Sequence, residues 1–250
     1  MEGVQHILLD IEGTICPISF VKETLFPYAI EALPHVLATK WDNPTFQPYR
    51  DAFPEDVRAS PEKLRAHVED LTKRDIKVAY LKNLQGYLWE DGYRSSAYST
   101  PLFPDVALQL RKWKANGVEI AIYSSGSVFA QKLLFQHVQV VGQHASPGAT
   151  GPGAQVEDMT GLVSGWFDTT NAGLKTEAAS YSTIVEALKW PLATTLFLSD
   201  SVREIDAATE AGLNAILVDR PGNAPVSEAD NHRLGLVHSL NELYITGASH

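Results

Sequence analysis

Two carboxylates and a glycine follow a short apolar run near the start of the chain. Residues 7–9 are Ile-Leu-Leu, and Asp10, Glu12 and Gly13 come directly after them, so a strand is predicted to end in acid. Two carboxylates held close together repel each other and resist burial, and folded proteins normally compensate them with a cation. Magnesium prefers such oxygen ligands and keeps waters and phosphate oxygens beside them. The pair indicates a magnesium site, although it could equally cap the turn or stay solvated.

Two serines follow a later apolar run. Ser124 and Ser125 come directly after residues 118–123. A hydroxyl beside the backbone N–H groups of a helix N-terminus can bind phosphate. Either serine could instead cap the helix that follows, and Ser127 competes for that task. Phosphate binding and capping both stay open for these residues.

A lysine and a further acid complete the candidate set. We predict Lys175 at the start of a helix, where a cation opposes the helix dipole at a cost of about 0.3 kcal/mol or more unless an anion lies nearby. This favours anion binding over a merely solvated lysine. Asp200 follows residues 195–199 and could bind a metal or cap the next helix. Glu204 and Asp206 could simply line that helix.

These groups have one chemistry in common. Ligands of open α/β sheets bind at the carboxyl ends of the strands, so the side chains that follow each strand form one candidate site. The set contains an acid able to act as nucleophile or metal ligand, a second acid, a hydroxyl, a lysine and a distal acid. Phosphoryl transfer uses these groups.

The elements that must position this set follow a simple alternation. Short runs rich in Val, Ile and Leu, at residues 4–9, 118–123, 195–199 and 215–218, are typical of buried parallel strands. Helical patterns lie between them, at residues 106–116, 128–135, 176–188 and 202–211. Strands that alternate with helices predict an α/β fold, doubly wound, with a mostly parallel, Rossmann-like sheet.

Residues 18–100 interrupt the alternation. Their periodicity is helical, notably at 20–37 and 61–84, and predicts a helical cap inserted after the first strand. The catalytic core would then comprise residues 1–17 and 101–250. The turn-rich residues 146–153 superficially suggest a phosphate cradle, but no Lys-Ser/Thr follows them, so we predict a connector.

Composition excludes several classes of protein. A net charge of −10 and a pI near 5.2 argue against a nucleic-acid surface. No apolar run approaches the length of a membrane span, and the first strand begins within a few residues, so we expect a cytoplasmic, monomeric protein without membrane contacts. The single Cys16 is predicted to be a buried filler rather than a nucleophile, and the eight histidines lack the spacing of a zinc site.

At these residues the chain resembles the haloacid-dehalogenase-like hydrolases, whose motifs match residues 10–14, Ser124, Lys175 and Asp200 in the same order. The resemblance extends to one branch, the acireductone synthases, which are the enolase-phosphatases of methionine salvage. It is carried by Glu at position 12, where Asp is commoner, and by the segments at residues 123–127, 131–134, 166–169 and 220–223.

The resemblance implies a substrate, a cofactor and a role for each site residue. The substrate would be 2,3-diketo-5-methylthiopentyl 1-phosphate, which is enolised and then dephosphorylated to 1,2-dihydroxy-3-keto-5-methylthiopentene. The implied ligands are Asp10, Glu12 and Asp200 for one Mg²⁺, and Ser124, Ser125 and Lys175 for the substrate. In the wider family the residue at the Glu12 position commonly offers the metal its backbone carbonyl, which leaves its side chain for proton transfer.

The corresponding mechanism starts with Asp10 as nucleophile, which forms an aspartyl-phosphate that water then hydrolyses. Lys175 and magnesium would neutralise the developing charge, and Glu12 would act as acid and base. Three alternatives remain at this stage. They are a capped phosphatase of another small keto or sugar phosphate, a haloacid dehalogenase without magnesium, which Glu12 and Asp200 disfavour, and a non-catalytic binding domain.

Overall fold

The computed structural model describes residues 3–140 and 155–245 of the chain. The predicted connector at residues 146–153 lies outside this range. Within it, no helix combines the length and the apolar character that crossing a membrane requires.

A parallel sheet of six strands forms the centre of the larger of two compact units, Met1–Phe20 with Ser99–His250. The strands of the described residues are β1 (His6–Leu9), β2 (Glu119–Tyr123), β3 (Val138–Gln139), β4 (Val156–Glu157), β5 (Gly165–Phe167), β6 (Thr195–Ser199), β7 (Asn214–Val218) and β8 (Leu236–Val237). The sheet order is β5-β2-β1-β6-β7-β8, and β3 and β4 form a separate antiparallel pair. The predicted α/β fold with a mostly parallel sheet is confirmed.

β1 lies inside the sheet because its residues can be buried on both faces. Ile7, Leu8 and Leu9 are all fully buried, which explains the continuous apolar run in place of an alternating one. Leu8 pairs with Ala121 of β2 and with Phe197 of β6. This register brings the carboxyl ends of the three strands to the same edge.

The sequence pattern missed the strands at the two edges of the sheet. β5 and β8 contain three and two residues, and neither is a buried apolar run. Gly165 opens β5, and a β-carbon there would lie 2.8 Å from Leu188, so close packing requires the glycine. Short, half-buried edge strands have no strong periodicity, and this is why they were not predicted.

Helices cover the sheet and build the inserted unit. Their bounds are α1 (Ile18–Phe20), α2 (Phe26–Lys40), α3 (Gln47–Asp51), α4 (Pro61–Lys73), α5 (Ala79–Arg94), α6 (Val106–Ala115), α7 (Val128–Gln136), α8 (Ala178–Leu188), α9 (Val202–Glu210) and α10 (Glu228–Arg233). The prediction that a helix begins at residue 176 was wrong by two residues. Lys175 and Thr176 form a turn, and Glu177 is still extended at the N-cap of α8.

The inserted unit, Val21–Tyr98, is helical in its described elements. The single helix predicted at residues 61–84 is instead α4 and α5, because Asp75 adopts a left-handed φ of +51° between them. A π-helical turn, Val21–Leu25, precedes α2, and the Trp89 indole donates a hydrogen bond of 2.7 Å to the Leu25 carbonyl. Aromatic pairs contribute to the core of this unit; Phe46 and Tyr49, for example, both pack on Tyr87.

Candidate active site

Three of the predicted site residues come directly after neighbouring strands. Ser124 follows β2, Asp10 follows β1 and Asp200 follows β6, and these strands are adjacent in the order β2-β1-β6. The carboxyl edge of a parallel sheet is where ligands of such folds bind. The sequence-predicted set therefore converges at one edge.

Lys175 forms a buried ion-pair cluster with two acids. Its Nζ lies 2.6 Å from Asp10 Oδ1 and 2.6 Å from Glu204 Oε2. The side chains of Lys175 and Asp10 are each only 7% exposed. Burial alone would lower the pKa of Lys175, but attraction to Asp10 and Glu204 outweighs it and raises that pKa. The lysine therefore stays protonated and keeps a positive charge beside the Asp10 carboxylate.

Glu204 is the site residue that sequence reasoning undervalued. It was assigned only to the lining of a helix, yet its Oε2 contacts Lys175 and also accepts a hydrogen bond of 2.7 Å from the Ser199 hydroxyl. Its position in the first turn of α9, four residues after Asp200, was the available signal. Burial and the Asp10 carboxylate raise the pKa of Glu204. Asp206, in contrast, lies outside the cluster in an exposed pair with Arg233.

Asp200 packs against the turn that follows Asp10. A β-carbon built on Gly13 would lie 2.7 Å from the Asp200 Cγ, and Gly13 has a φ of +74°, so both space and conformation require glycine there. Burial, followed by repulsion from Asp10 and Glu204, raises the pKa of Asp200 to about 7. Ser201, not Asp200, occupies the N-cap position of α9.

Neither Ser124 nor Ser125 caps the helix that follows them, because a third serine, Ser127, has that role. Ser127 is the N-cap of α7, where its hydroxyl accepts a hydrogen bond of 3.3 Å from the Ala130 N–H. Ser124 is buried at the end of β2, and its Oγ accepts a hydrogen bond of 3.2 Å from the Gly126 N–H. Ser125 lies half-buried between them. The capping alternative thus belongs to Ser127.

The backbone of the Asp10 turn is held by side chains from the far end of the chain. Arg220 Nε donates to the Thr14 carbonyl at 3.0 Å, and Asn223 Nδ2 donates to the Gly13 carbonyl at 2.9 Å. Asp105 in turn fixes the Arg220 guanidinium through two hydrogen bonds of 3.0 and 2.9 Å. Sequence reasoning assigned none of these residues a task, because nothing local links positions so far apart.

The Arg220 guanidinium and nearby hydrogen bonds compensate the buried charge of Asp105. Burial would raise the pKa of Asp105, but hydrogen bonds from Arg220 and from the Leu240 N–H lower it overall. The Arg220 guanidinium also lies 4.7 Å from the centre of the Phe103 ring. A buried, fully bonded ion pair thus supports the turn that carries Asp10.

Glu12 and Cys16 lie in the same turn, and the environment of Cys16 makes its thiol unreactive. Glu12 is half-buried and pairs with Cys16 through an isolated parallel bridge. Burial, reinforced by the Glu12 carboxylate, raises the pKa of the Cys16 thiol. Cys16 therefore remains a protonated, buried thiol, as expected of a filler.

The cluster has the donors and the charge that a divalent cation requires. Asp10 and Glu204 both contact the single charge of Lys175, and repulsion from these two acids adds to the rise that burial causes in the pKa of Asp200. Within residues 3–140 and 155–245, no three His, Cys, Asp or Glu side chains could hold a metal ion on their own. Magnesium usually takes one or two protein carboxylates and completes its shell with waters and substrate phosphate.

Comparison with known proteins places this site in a class. Residues 4–212 match the haloacid dehalogenase-like hydrolase family, and the chain belongs to that class of hydrolases. The protein named enolase-phosphatase E1 of Neurospora crassa is 49% identical over 245 residues, which cover 97% of this chain and 99% of that protein. The enolase-phosphatase E1 of Podospora anserina is 52% identical over 239 residues, 95% of this chain and 96% of its own.

A solved structure agrees. The UTR4 protein of Saccharomyces cerevisiae is 37% identical and superposes with a TM-score of 0.81, covering 96% of this chain and 100% of that one. Within the hydrolase class, the chain belongs to the enolase-phosphatase E1 family. It is accordingly an enzyme of the phosphatase type.

Proposed function

We propose that the chain is a magnesium-dependent enolase-phosphatase of methionine salvage. It would convert 2,3-diketo-5-methylthiopentyl 1-phosphate to 1,2-dihydroxy-3-keto-5-methylthiopentene and phosphate. The observation that carries this proposal is the buried contact of 2.6 Å between Lys175 Nζ and Asp10 Oδ1, at the sheet edge where ligands bind. Its relatives named enolase-phosphatase E1 supply the reaction.

Asp10 is the proposed nucleophile. A carboxylate oxygen attacks phosphorus, the ester bond from phosphorus to the substrate oxygen breaks, and an aspartyl-phosphate forms, which water then hydrolyses to phosphate. The positive charge on Lys175 supports this role, because it lies beside Asp10 and opposes the negative charge that builds on the phosphoryl oxygens.

Glu12 is the proposed acid and base of the phosphoryl step. It would protonate the departing substrate oxygen and later take a proton from the attacking water. Its position two residues after Asp10, in the same turn, supports this assignment. For the enolisation, a carboxylate of the site removes the proton next to the substrate carbonyl.

Ser124, Ser125 and Lys175 are proposed to hold the substrate phosphate. The position of the Ser124 hydroxyl directly after β2, at the sheet edge that carries Asp10, supports this, since a hydroxyl can donate a hydrogen bond to a phosphate oxygen. Asp10, Asp200 and Glu12, the last through its side chain or its backbone carbonyl, are proposed to hold one Mg²⁺. When bound, the ion would polarise the phosphoryl oxygens.

The inserted helical unit is proposed to act as a cap that selects the substrate and excludes water. Its own aromatic core and its insertion directly after the nucleophile turn support this role. The chain is proposed to act as a monomer.

The decisive experiment incubates the full chain with the diketo phosphate and Mg²⁺ and follows enol absorbance and free phosphate together. An enol signal that precedes phosphate release is expected. Phosphate release with no preceding enol signal would instead support a capped phosphatase of another small keto or sugar phosphate, which a substrate panel would then identify.

A further inference from the structure

Three consecutive carbonyls around Lys175 each accept a hydrogen bond from a side-chain hydroxyl. Tyr123 donates to the Gly173 carbonyl at 2.8 Å, Ser180 to the Leu174 carbonyl at 2.8 Å and Tyr181 to the Lys175 carbonyl at 2.6 Å. We call these three side chains the hydroxyl clamp. Capping does not explain them, because a helix N-terminus leaves N–H groups unsatisfied, not carbonyls.

The hydroxyl clamp is built into the rigid part of the sheet. Tyr123 is the last residue of β2, and Ser180 and Tyr181 lie in the first turn of α8; all three are buried. The Tyr123 and Tyr181 rings pack edge to face with centroids 5.5 Å apart, and Tyr181 packs in the same way on Phe197 of β6 at 5.0 Å. Their hydroxyl oxygens are therefore fixed relative to the strands that carry the site.

The segment before Lys175 is shaped to meet the clamp. Gly173 has a φ of +109°, and a β-carbon there would lie 2.5 Å from Ser180 Oγ, so only glycine allows the approach. The Tyr123 ring also faces the lysine, with its centroid 5.8 Å from Nζ. Backbone and side chain of Lys175 are thus both aligned by the same group of residues.

We propose that Tyr123, Ser180 and Tyr181 are positioning residues that aim the Lys175 ammonium at Asp10 for phosphoryl transfer. The inference rests on the proposed function of Lys175. Each hydroxyl acts on a peptide unit and touches no reacting atom. Loss of one lets the segment relax, and the ammonium loses its alignment with the charge that develops in the transition state.

The test compares matched hydroxyl deletions. Tyr181→Phe and Ser180→Ala each remove one clamp hydroxyl. Thr195→Val is the control, because Thr195 is also buried and its hydroxyl donates to a backbone carbonyl, that of Pro191, at 2.8 Å, at the end of β6 opposite the site. Thermal unfolding, kcat and KM for the diketo phosphate, and amide hydrogen exchange are measured on all variants with Mg²⁺ present.

We expect kcat to fall about tenfold in each clamp variant while KM changes by less than about threefold, since misalignment acts mainly in the transition state. Thr195→Val should lower the unfolding temperature as Ser180→Ala does but keep both kinetic constants. Wild-type kcat and KM in Tyr181→Phe and Ser180→Ala would overturn the positioning role and leave only a structural one.

Hydrogen exchange separates this inference from the proposed function. If wild-type protein and Thr195→Val release no phosphate, the proposed function has failed. The exchange data then decide on the clamp, because faster exchange confined to residues 173–177 is expected only in the clamp variants. Unchanged exchange there would refute the clamp even in an active enzyme.

Discussion

Two loops deliver opposite charges to one point of this site, and they are held in different ways. The turn after β1 carries Asp10 and is tied down by Arg220 and Asn223, which are 206 and 210 residues away from the carbonyls they bind. The segment before α8 carries Lys175 and is tied mainly by Ser180 and Tyr181, each six residues from its acceptor. The nucleophile thus depends on closure of the whole core, whereas the lysine depends on a nearly local arrangement.

The chemistry of the ties differs as well. Arg220 and Asp105 form a buried ion pair, and removing one partner of such a pair costs roughly 3–5 kcal/mol because a charge is left uncompensated. The hydroxyl clamp consists of neutral donors, each worth about 1 kcal/mol. Stability should therefore depend chiefly on the ties of the first loop, and fine alignment on those of the second.

The largest effect on activity should come from Asp10, the charged residue that the first loop carries. Asp10→Asn keeps the shape of the side chain but removes the nucleophilic charge, and we expect phosphate release to fall about 10⁴-fold or more. Asp206→Asn makes the same chemical change at an exposed acid outside the cluster and should leave the rate of phosphate release unchanged. Near-normal phosphate release by Asp10→Asn would rule out the covalent step.

The tie of the first loop should dominate stability. Arg220→Ala leaves Asp105 buried and unpaired, so the free energy of unfolding in urea should drop by about 3–5 kcal/mol. Arg233→Ala removes an arginine that pairs with Asp206 and Asp230 at the surface, and its effect on the urea midpoint should be close to none. Equal losses of unfolding free energy in Arg220→Ala and Arg233→Ala would show that the buried ion pair contributes no more to stability than the surface pairs.

The stability of the protein should depend on pH, because Asp200, which packs on the first loop, has a raised pKa. Asp200, which packs on Gly13, has a pKa raised from 3.8 to about 7, so between these values the folded state holds a proton that the unfolded state has lost. Stability in a chelator should therefore fall as the pH rises from about 4 to 7, by roughly 2–4 kcal/mol from this group.

The comparison with Asp200→Asn isolates that contribution, because the variant lacks the titrating group. Lys175 and the clamp tyrosines, whose pKa values are raised, do not change charge in this range. Added Mg²⁺ should flatten the slope in wild type, since a bound cation keeps Asp200 ionised. Parallel curves for wild type and Asp200→Asn in chelator would contradict the assignment.

The smallest effects test whether the two loops are independent. Asn223→Ala removes the neutral tie of the first loop and Ser180→Ala one tie of the second, and each should cost about 1 kcal/mol of unfolding free energy. In the double variant the two losses should add to within about 0.5 kcal/mol, because the ties share no partner. A clear departure from additivity in urea unfolding would mean that the loops are coupled.

The features that the sequence predicted correctly are those with a strong local pattern. β6 has the predicted bounds because the apolar residues 196–198, Leu-Phe-Leu, are fully buried in the sheet and lie between polar residues, a pattern typical of buried strands. β8 was missed because a two-residue edge strand has no periodicity. The helix predicted at residues 61–84 failed at Asp75, where a left-handed backbone breaks a continuing helical pattern.

The site residues that could be predicted are likewise those with a recognisable local pattern in the sequence. Asp10, Ser124, Lys175 and Asp200 follow strands or precede a helix, so the rule that ligands bind at strand ends predicts their grouping. Glu204 was undervalued because an acid in the first turn of a helix usually has a sufficient reason in the helix dipole. Arg220 and Asn223 lie in a segment that carries the family resemblance, but their structural task and that of Tyr181 could not be predicted, because their partners become neighbours only in the folded chain.

The ties of the nucleophile turn also set an order of events during biosynthesis. The turn after β1 leaves the ribosome early, but the groups that hold it are Arg220 and Asn223, and the Asp105 that fixes Arg220 is itself bonded by Ser239 and Leu240. A nascent chain therefore carries an unsupported nucleophile turn until Arg220 and Asn223 have been translated. Truncated translation products that end before Arg220 should be without phosphatase activity, however well their earlier segments fold.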